Sequence, residues 1–250
     1  MLEELCSVIM PVYNSESYVT YSIRSVLEQT YRNIEFIIID DCSRDKSQAI
    51  IEAFAKQDKR IKFIHNSTNL GCAATRNKAI AISKGKYIAF IDSDDIWSKC
   101  KLELEINEVK LRKCDLVYTS YTIIDNNNKI IKHRPVPETA PIDSLLKENS
   151  ICFSSVLLKA DVAKKYNMDS RYFHEDYCYL LDLLRDGIVF HGLNNCLVRY
   201  RVSDQNRSKN KIKSAKYRWK IYREYLKLNL IDSCKYFISY FFKGIKKYYV

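Results

Sequence analysis

The sequence predicts an α/β protein built on a mostly parallel sheet flanked by helices, and three observations carry that prediction. Short apolar runs recur at 6–10, 34–39, 61–64 and 87–91. Amphipathic segments at helical spacing lie between them, and acidic residues collect just past the runs. Strands that are apolar throughout and alternate with amphipathic helices belong to a sheet covered on both faces. A chain of 250 residues, 47% hydrophobic, is long enough to bury such a core.

The first strand is "CSVIM" (6–10). Val19, Ile23, Val26 and Leu27 fall at i, i+4, i+7 and i+8 and predict the first helix, with Asn14 and Ser15 as its cap candidates. "IEFIII" (34–39), interrupted by Glu35, is the second strand. Ile50, Ile51 and Phe54 mark the second helix after Ser43 and Asp45. "IKFI" (61–64) leads to a third helix marked by Ala73, Ile80 and Ala81, with Asn77 on the same face and Lys84-Gly85 as its end. "YIAFI" (87–91) is the fourth strand, 98–113 the fourth helix, and "DLVYTSYTII" (115–124) a further strand. Beyond the turn "DNNNK" (125–129) the alternation breaks. "RPVPETAP" (134–141) holds three of the four prolines and predicts a loop. "ICFSSVLLK" (151–159) reads as a strand, 174–187 as a helix ended by Gly187, and "IVFH" and "CLVRYR" as two strands.

Several classes are disfavoured at once. No run of 18 apolar residues predicts a membrane span, and the acidic N-terminus lacks the basic region of a secretory signal. The nine cysteines form no C-x-x-C pair and are odd in number, so reduced, packed thiols are expected. The five glycines avoid the first strand-to-helix turn, which excludes the dinucleotide fingerprint and the Walker loop.

Charge is concentrated where the sheet's strands end. The second strand runs into "DDCS" and the fourth into "DSDD", so Asp40, Asp41, Asp92, Asp94 and Asp95 converge on one sheet edge, where parallel α/β sheets bind ligands. Five like charges require a positive partner. A divalent cation on oxygen ligands, Mg²⁺ or Mn²⁺, together with a phosphate, fits that composition. Other readings stand beside it: Asp40 bracing a loop, Asp95 as a helix-entry residue, Arg76 as a surface charge, and Glu175-Asp176 as ordinary first-turn acids.

The ordered blocks "SVIMPVYNSESYVTYSIRSVLEQTYRNIEFIIIDDCSRDKS", "NLGCAATRNKAI" and "GKYIAFIDSDD" resemble the motif series of family-2 glycosyltransferases with the GT-A fold. "HEDY" and "YRVSDQNRS" resemble the family's acceptor-side elements. The resemblance implies inverting transfer of a sugar, a hexose, from a UDP-sugar to an acceptor hydroxyl, with a lipid-linked saccharide of bacterial surface polysaccharide as the acceptor. Pro11, Tyr13 and Glu16 match the segment lining base and ribose, and Asp41 matches the residue bonding uracil. Arg76 and Asn77 match the block that, by the resemblance, faces the diphosphate and donor sugar. Asp92 and Asp94 match the D-x-D motif around Ser93, with Asp94 as the direct metal ligand. Asp176 matches the general base. Glu175, Tyr200 and Arg201 fall on the acceptor side. Where many members carry Trp and Arg in the helix after "ED", this chain has Leu180 and Asp182. A non-catalytic sugar-nucleotide scaffold and an aspartate-nucleophile phosphohydrolase are the rival classes.

The net charge of +11 is uneven. From Arg199 onward 15 Lys and Arg face 3 Asp and Glu, leaving the first 198 residues at −1. The expected division is a catalytic domain over 1–209, with a nucleotide-sugar half (1–125) and an acceptor half (126–209), and a basic, aromatic helical tail over 210–250. Lysines interleaved with Trp, Tyr and Phe suit a helix lying on an anionic membrane surface, at the inner face of the cell membrane for a cytoplasmic enzyme. Packing on the domain, homo-oligomerisation and nucleic-acid binding are the alternatives, with nucleic acid the weakest.

Overall fold

The computed structural model describes residues 3–202 and 211–249. Its first half alternates as the apolar runs require: β1 (Cys6–Val12), α1 (Val19–Leu27), β2 (Ile34–Asp40), α2 (Ser47–Gln57), β3 (Ile61–His65), α3 (Cys72–Ile82) and β4 (Tyr87–Phe90). β2 is buried along its whole length, as a strand covered on both faces should be. The Glu35 that interrupts its apolar run is satisfied inside. It accepts hydrogen bonds from Ser7 Oγ (2.5 Å) and the Gly85 backbone N–H (3.1 Å), and pairs with Lys62.

The second half adds β5 (Ile96–Trp97), α4 (Lys101–Arg112), β6 (Leu116–Ile124), β7 (Ile130–Arg134), α5 (Ile142–Lys147), β8 (Val156–Lys159), α6 (Ala160–Ala163), α7 (Glu175–Arg185) and β9 (Phe190–Arg201). α8 (Lys211–Lys220), a π turn (Ile221–Tyr225) and α9 (Leu230–Tyr249) follow. Among the described residues the strands form one sheet in the order β3-β2-β1-β4-β8-β6-β9-β5, with β7 paired to β6. The β3-β2-β1-β4 part is parallel, whereas β8 runs antiparallel to both β4 and β6. The sheet is therefore mixed beyond β4.

Four local expectations are corrected. "ICFSSVLLK" is strand only over Val156–Lys159, because Phe153–Ser155 turns as a 3₁₀ helix. The two strands expected over 188–191 and 196–201 are one, β9, which begins only at Phe190 and whose irregular register against β6 accommodates the exposed residues between them. β7, on the sheet's periphery, has no counterpart in the apolar pattern because its side chains are mostly exposed. Asp95 does not enter a helix: it precedes β5, and α4 begins only at Lys101.

The basic tail is partly interior. Ile221 and Tyr222 are fully buried and join the main core, while Tyr236 and Phe237 pack against it. The expected boundary at 209/210 and the "SDQNR" part of the acceptor-side motif lie outside the described residues.

Candidate active site

The strand order places a topological switch point between β1 and β4, since the chain moves from β1 out to β2 and β3 and returns to β1's other side. Ligands bind α/β sheets outside the carboxyl ends of strands at such a point. Here it opens a cleft of about 390 Å³ lined by Pro11 to Ser15, Tyr18, Asp41, Cys72, Arg76, Asp92 to Asp94, Phe173 to Asp176 and Tyr200. That volume falls in the range of small-molecule sites.

The β1–α1 loop is tied to the β2–α2 loop. Asn14 sits at φ 48° and receives the Arg44 N–H on Oδ1 (2.8 Å), while the backbone N–H of Ser15 donates to Ser47 Oγ (2.8 Å). Neither Asn14 nor Ser15 caps α1, whose N-cap, Tyr18, makes no side-chain cap bond. Their polar groups hold two loops together instead. Asp40 braces the same region by accepting from Ser43 N (3.1 Å) and contacting His65 Nδ1 (3.0 Å). Asp41 Oδ1 accepts from Asn66 Nδ2 (2.8 Å) and Leu70 N (2.9 Å), and Oδ2 from Gly71 N (2.8 Å). A carboxylate has about four acceptor positions, so Asp41 keeps capacity for one further donor in the cleft.

The three acids after β4 separate by environment. Asp95 is fully buried, with Oδ1 accepting from Arg201 N (2.9 Å), and burial followed by Asp94 and Asp92 raises its carboxyl well above the ordinary range. Asp94 lines the cleft, and burial, then the neighbouring charge of Asp92, pushes its carboxyl up to about 7. Asp92 accepts from Arg76 Nη2 at 2.5 Å. Asp94 is thus a desolvated acid that an added cation would stabilise as carboxylate. Among the described residues no group of three or more His, Cys, Asp or Glu side chains could hold a metal. The Asp92–Asp94 pair nonetheless fits Mg²⁺ or Mn²⁺, which use one or two carboxylates and take remaining oxygens from substrate phosphates and water.

Arg76 joins the two halves of the cleft. It is 3% exposed, lies 4.8 Å from the Phe153 ring centroid, and reaches Glu175 Oε1 at 3.5 Å as well as Asp92. Its Nε has no hydrogen-bond partner among the described residues. One guanidinium thereby ties the acids after β4 to the first turn of α7, where Asp176 faces the cleft. The surface-charge reading of Arg76 is excluded by its burial.

Of the residues singled out from the sequence, Pro11, Tyr13, Asp41, Arg76, Asp92, Ser93, Asp94, Glu175, Asp176 and Tyr200 line this cleft. Three do not. Glu16 lies on the outer side of its loop, accepting from Lys46 N (2.9 Å). Asn77 exchanges two hydrogen bonds with the Met168 backbone, donating from Nδ2 and accepting on Oδ1, each at 2.9 Å. Arg201 is fully buried beneath the site and donates to the carbonyls of Asp94 (2.9 Å) and Asp125 (2.7 Å). In this structure Glu16 and Asn77 serve as loop and helix ties outside the cleft lining, and Arg201 buttresses the D-x-D backbone from below. Tyr18, Cys72 and Phe173 line the cleft unannounced, because a Tyr, Cys or Phe near a helix end gives no signal distinguishing cleft from core.

Fold, cleft and acidic pair define an α/β protein with a ligand-sized cleft at its sheet's switch point, and comparison with known proteins makes the class specific. Residues 7–166 match the family model "Glycosyl transferase family 2". The chain is 35% identical to the Escherichia coli UDP-Glc:alpha-D-GlcNAc-diphosphoundecaprenol beta-1,3-glucosyltransferase WfgD over 99% of its own length and 96% of that protein's. It is 36% identical to the E. coli enzyme WfaP, which bears the same activity name, over 84% and 82% of the two chains. The S. aureus TarS 1–349 complex with UDP-GlcNAc shares the fold, with a TM-score of 0.75 at 18% identity, covering 96% of this chain and 72% of that one. The chain therefore belongs to glycosyltransferase family 2; it is a glycosyltransferase with the GT-A fold, related to bacterial surface-polysaccharide enzymes. No helix among the described residues is long and apolar enough to cross a membrane.

Proposed function

We propose that this chain transfers a hexose, glucose foremost, from a UDP-sugar to a hydroxyl of a lipid-diphosphate-linked saccharide, with inversion at the anomeric carbon. The observation that carries the reading is the Arg76 bridge, which fixes the Asp92–Asp94 pair and the Asp176 turn around one cleft. Pro11, Tyr13 and Asp41 would hold the nucleoside, Asp41 accepting a base N–H on its remaining position. Asp92, Ser93 and Arg76 would flank ribose and diphosphate, and Asp92 and Asp94 would hold Mn²⁺ or Mg²⁺. A bound cation supplies neutralisation of the charge that develops on the departing diphosphate. The TM-score of 0.71 to a Pyrobaculum calidifontis mannosyltransferase complexed with GDP-Man and Mn²⁺ agrees with a fold that accommodates such an ion.

Asp176 would take the proton from the acceptor hydroxyl as its oxygen attacks the anomeric carbon. One base and one displacement invert the centre without a covalent sugar–enzyme intermediate. The names of WfgD and WfaP support UDP-glucose and a diphosphoundecaprenol-linked acceptor. UDP release from a panel of UDP-sugars, with Mn²⁺ and with or without diphosphoundecaprenol-linked GlcNAc, tests the reading. Acceptor-dependent release that Asp176→Asn abolishes while retaining UDP affinity is expected. No release from any donor returns the chain to a binding scaffold.

The same reading seats the enzyme on an anionic membrane surface through α9. Ile231, Ile238, Phe241 and Phe242 are exposed and fall on about one third of the helix circumference, away from buried Ser233 and half-buried Tyr236. Phosphatidylglycerol vesicles should pellet the wild type, and Phe241→Asp with Phe242→Asp should release it; equal pelleting would refute the seat.

A further inference from the structure

The first turn of α7, which carries Glu175 and Asp176, is held in place from the far end of the chain. Arg218 of α8 is only 5% exposed, and its Nε and Nη1 have no hydrogen-bond partner among the described residues. Burying donors unmet is unfavourable, so another contact has to retain the guanidinium. It lies over two tyrosine rings, 3.7 Å from the centroid of Tyr177 on α7 and 4.9 Å from that of Tyr240 on α9. A desolvated cation over aromatic faces is attractive, and the planar guanidinium stacks where an ammonium cannot.

Tyr177 directly follows Asp176 and donates its backbone N–H to Asp176 Oδ1 (2.8 Å). Its hydroxyl donates to the Leu145 carbonyl (2.9 Å), and Tyr222, one turn beyond Arg218, donates to the Leu146 carbonyl (2.5 Å). Two successive carbonyls of α5 therefore anchor α7 and the tail side by side. On the cleft side, the Tyr217 ring stacks on Phe173 with centroids 5.0 Å apart and planes at 21°, and Lys213 Nζ lies 5.0 Å from the same ring. Phe173 is part of the cleft wall. α8 thus touches both the residue after Asp176 and a wall residue beside it.

We propose that Arg218 and Tyr217 are positioning residues for transfer, Arg218 setting the Asp176 turn through Tyr177 and Tyr217 setting the acceptor-side wall through Phe173. The tail is then part of the catalytic apparatus and not only a seat on lipid. The inference rests on Asp176 as the base. Nucleotide-side residues come from β1, β2, α3 and the loop after β4, none of which carries this stack, so the effect falls on turnover and spares donor binding.

The test compares Arg218→Gln, Arg218→Lys, Tyr217→Leu and Asp176→Asn in the full chain. The readouts are kcat, donor and acceptor KM, UDP affinity by calorimetry, and Tm. Misplacing a reacting group by an ångström costs up to about 100-fold. Arg218→Gln should lower kcat about 10- to 100-fold with donor KM and UDP affinity held within about twofold. Arg218→Lys, which keeps the charge and loses the planar stack, should not restore the rate. Tyr217→Leu should raise acceptor KM. If Arg218→Gln does not fold, Tyr240→Leu, which removes the outer ring, should still lower kcat at constant donor KM. Wild-type kcat in the folded tail variants, or a parallel loss of UDP affinity, overturns the inference. Full activity in Asp176→Asn overturns the base reading and this one with it. An inactive Asp176→Asn beside fully active tail variants overturns this one alone.

Discussion

Replacing Arg76 with Met should uncouple the two sides of the cleft, and its cost can be worked from the contacts. The substitution keeps much of the aliphatic stem and removes a 3%-exposed guanidinium from Glu175, which is 4% exposed, and from Asp92, whose side chain is 36% exposed. Water screens the Asp92 arm, which is worth less than about 1 kcal/mol to stability. The Glu175 arm dominates, because withdrawing a cationic partner from a buried charge costs up to about 3–5 kcal/mol. The 3.5 Å separation to Glu175 places it at the lower end, about 3 kcal/mol. For a chain of this size that lowers Tm by about 6–12 °C. Urea unfolding of Arg76→Met against wild type measures it, and Arg76→Met with Glu175→Gln should recover up to about 2 kcal/mol by removing the buried charge that has lost this cation. A loss under about 1 kcal/mol, or no recovery in the double variant, would refute the claim that Arg76 neutralises this turn. The same single variant should weaken UDP binding, since the wall proposed to face the diphosphate loses its fixed cation.

Two further predictions concern groups outside the reacting centre. Lys101 and Glu105 form a fully buried pair at 2.6 Å, and burial raises the Glu105 carboxyl from 4.5 to about 7 against the pull of Lys101. A carboxyl raised on folding favours the folded state while protonated, so its contribution is complete below about pH 4.5 and is lost as pH rises through about 7. The stability of wild type relative to Glu105→Gln should accordingly fall across that window, and a constant difference from pH 4.5 to 8 would contradict it. Gly71 holds φ +83° with open space where a Cβ would stand, while its N–H donates to Asp41. Gly71→Ala should therefore cost about 1–3 kcal/mol through backbone strain alone, since ψ 161° puts the residue in the region open essentially to Gly only, and weaken UDP binding by displacing the Asp41 carboxylate; calorimetry with UDP and urea unfolding check both effects.

The first four strands and three helices were legible in the sequence because their causes are local. An apolar run flanked by amphipathic periodicity has one good solution, a strand covered on both faces. The acids after β2 and β4 were legible for the same reason, since a strand's end fixes where its next residues emerge. Beyond residue 125 the signal weakened: β7 is an exposed peripheral strand and β9 an irregular one, so neither shows a clean period of two. Loop polarity also misled. Asn14 and Ser15 look like helix caps by residue type, yet their partners are Arg44 of a neighbouring loop and Ser47 at the start of α2.

What the sequence determined by itself is the chemistry available at one sheet edge: three acids in four positions after a buried strand, and a second acidic turn far downstream. Tertiary structure decided what each acid does. Asp95 became a buried acceptor because Arg201, 106 residues later, donates its backbone N–H there. Asp92 met the Glu175–Asp176 turn because Arg76 spans the 99 residues to Glu175. The tail came to rest on Tyr177 and Phe173 because α5 carbonyls receive it beside α7. Such pairings depend on packing between elements distant in the chain, and no periodicity encodes them.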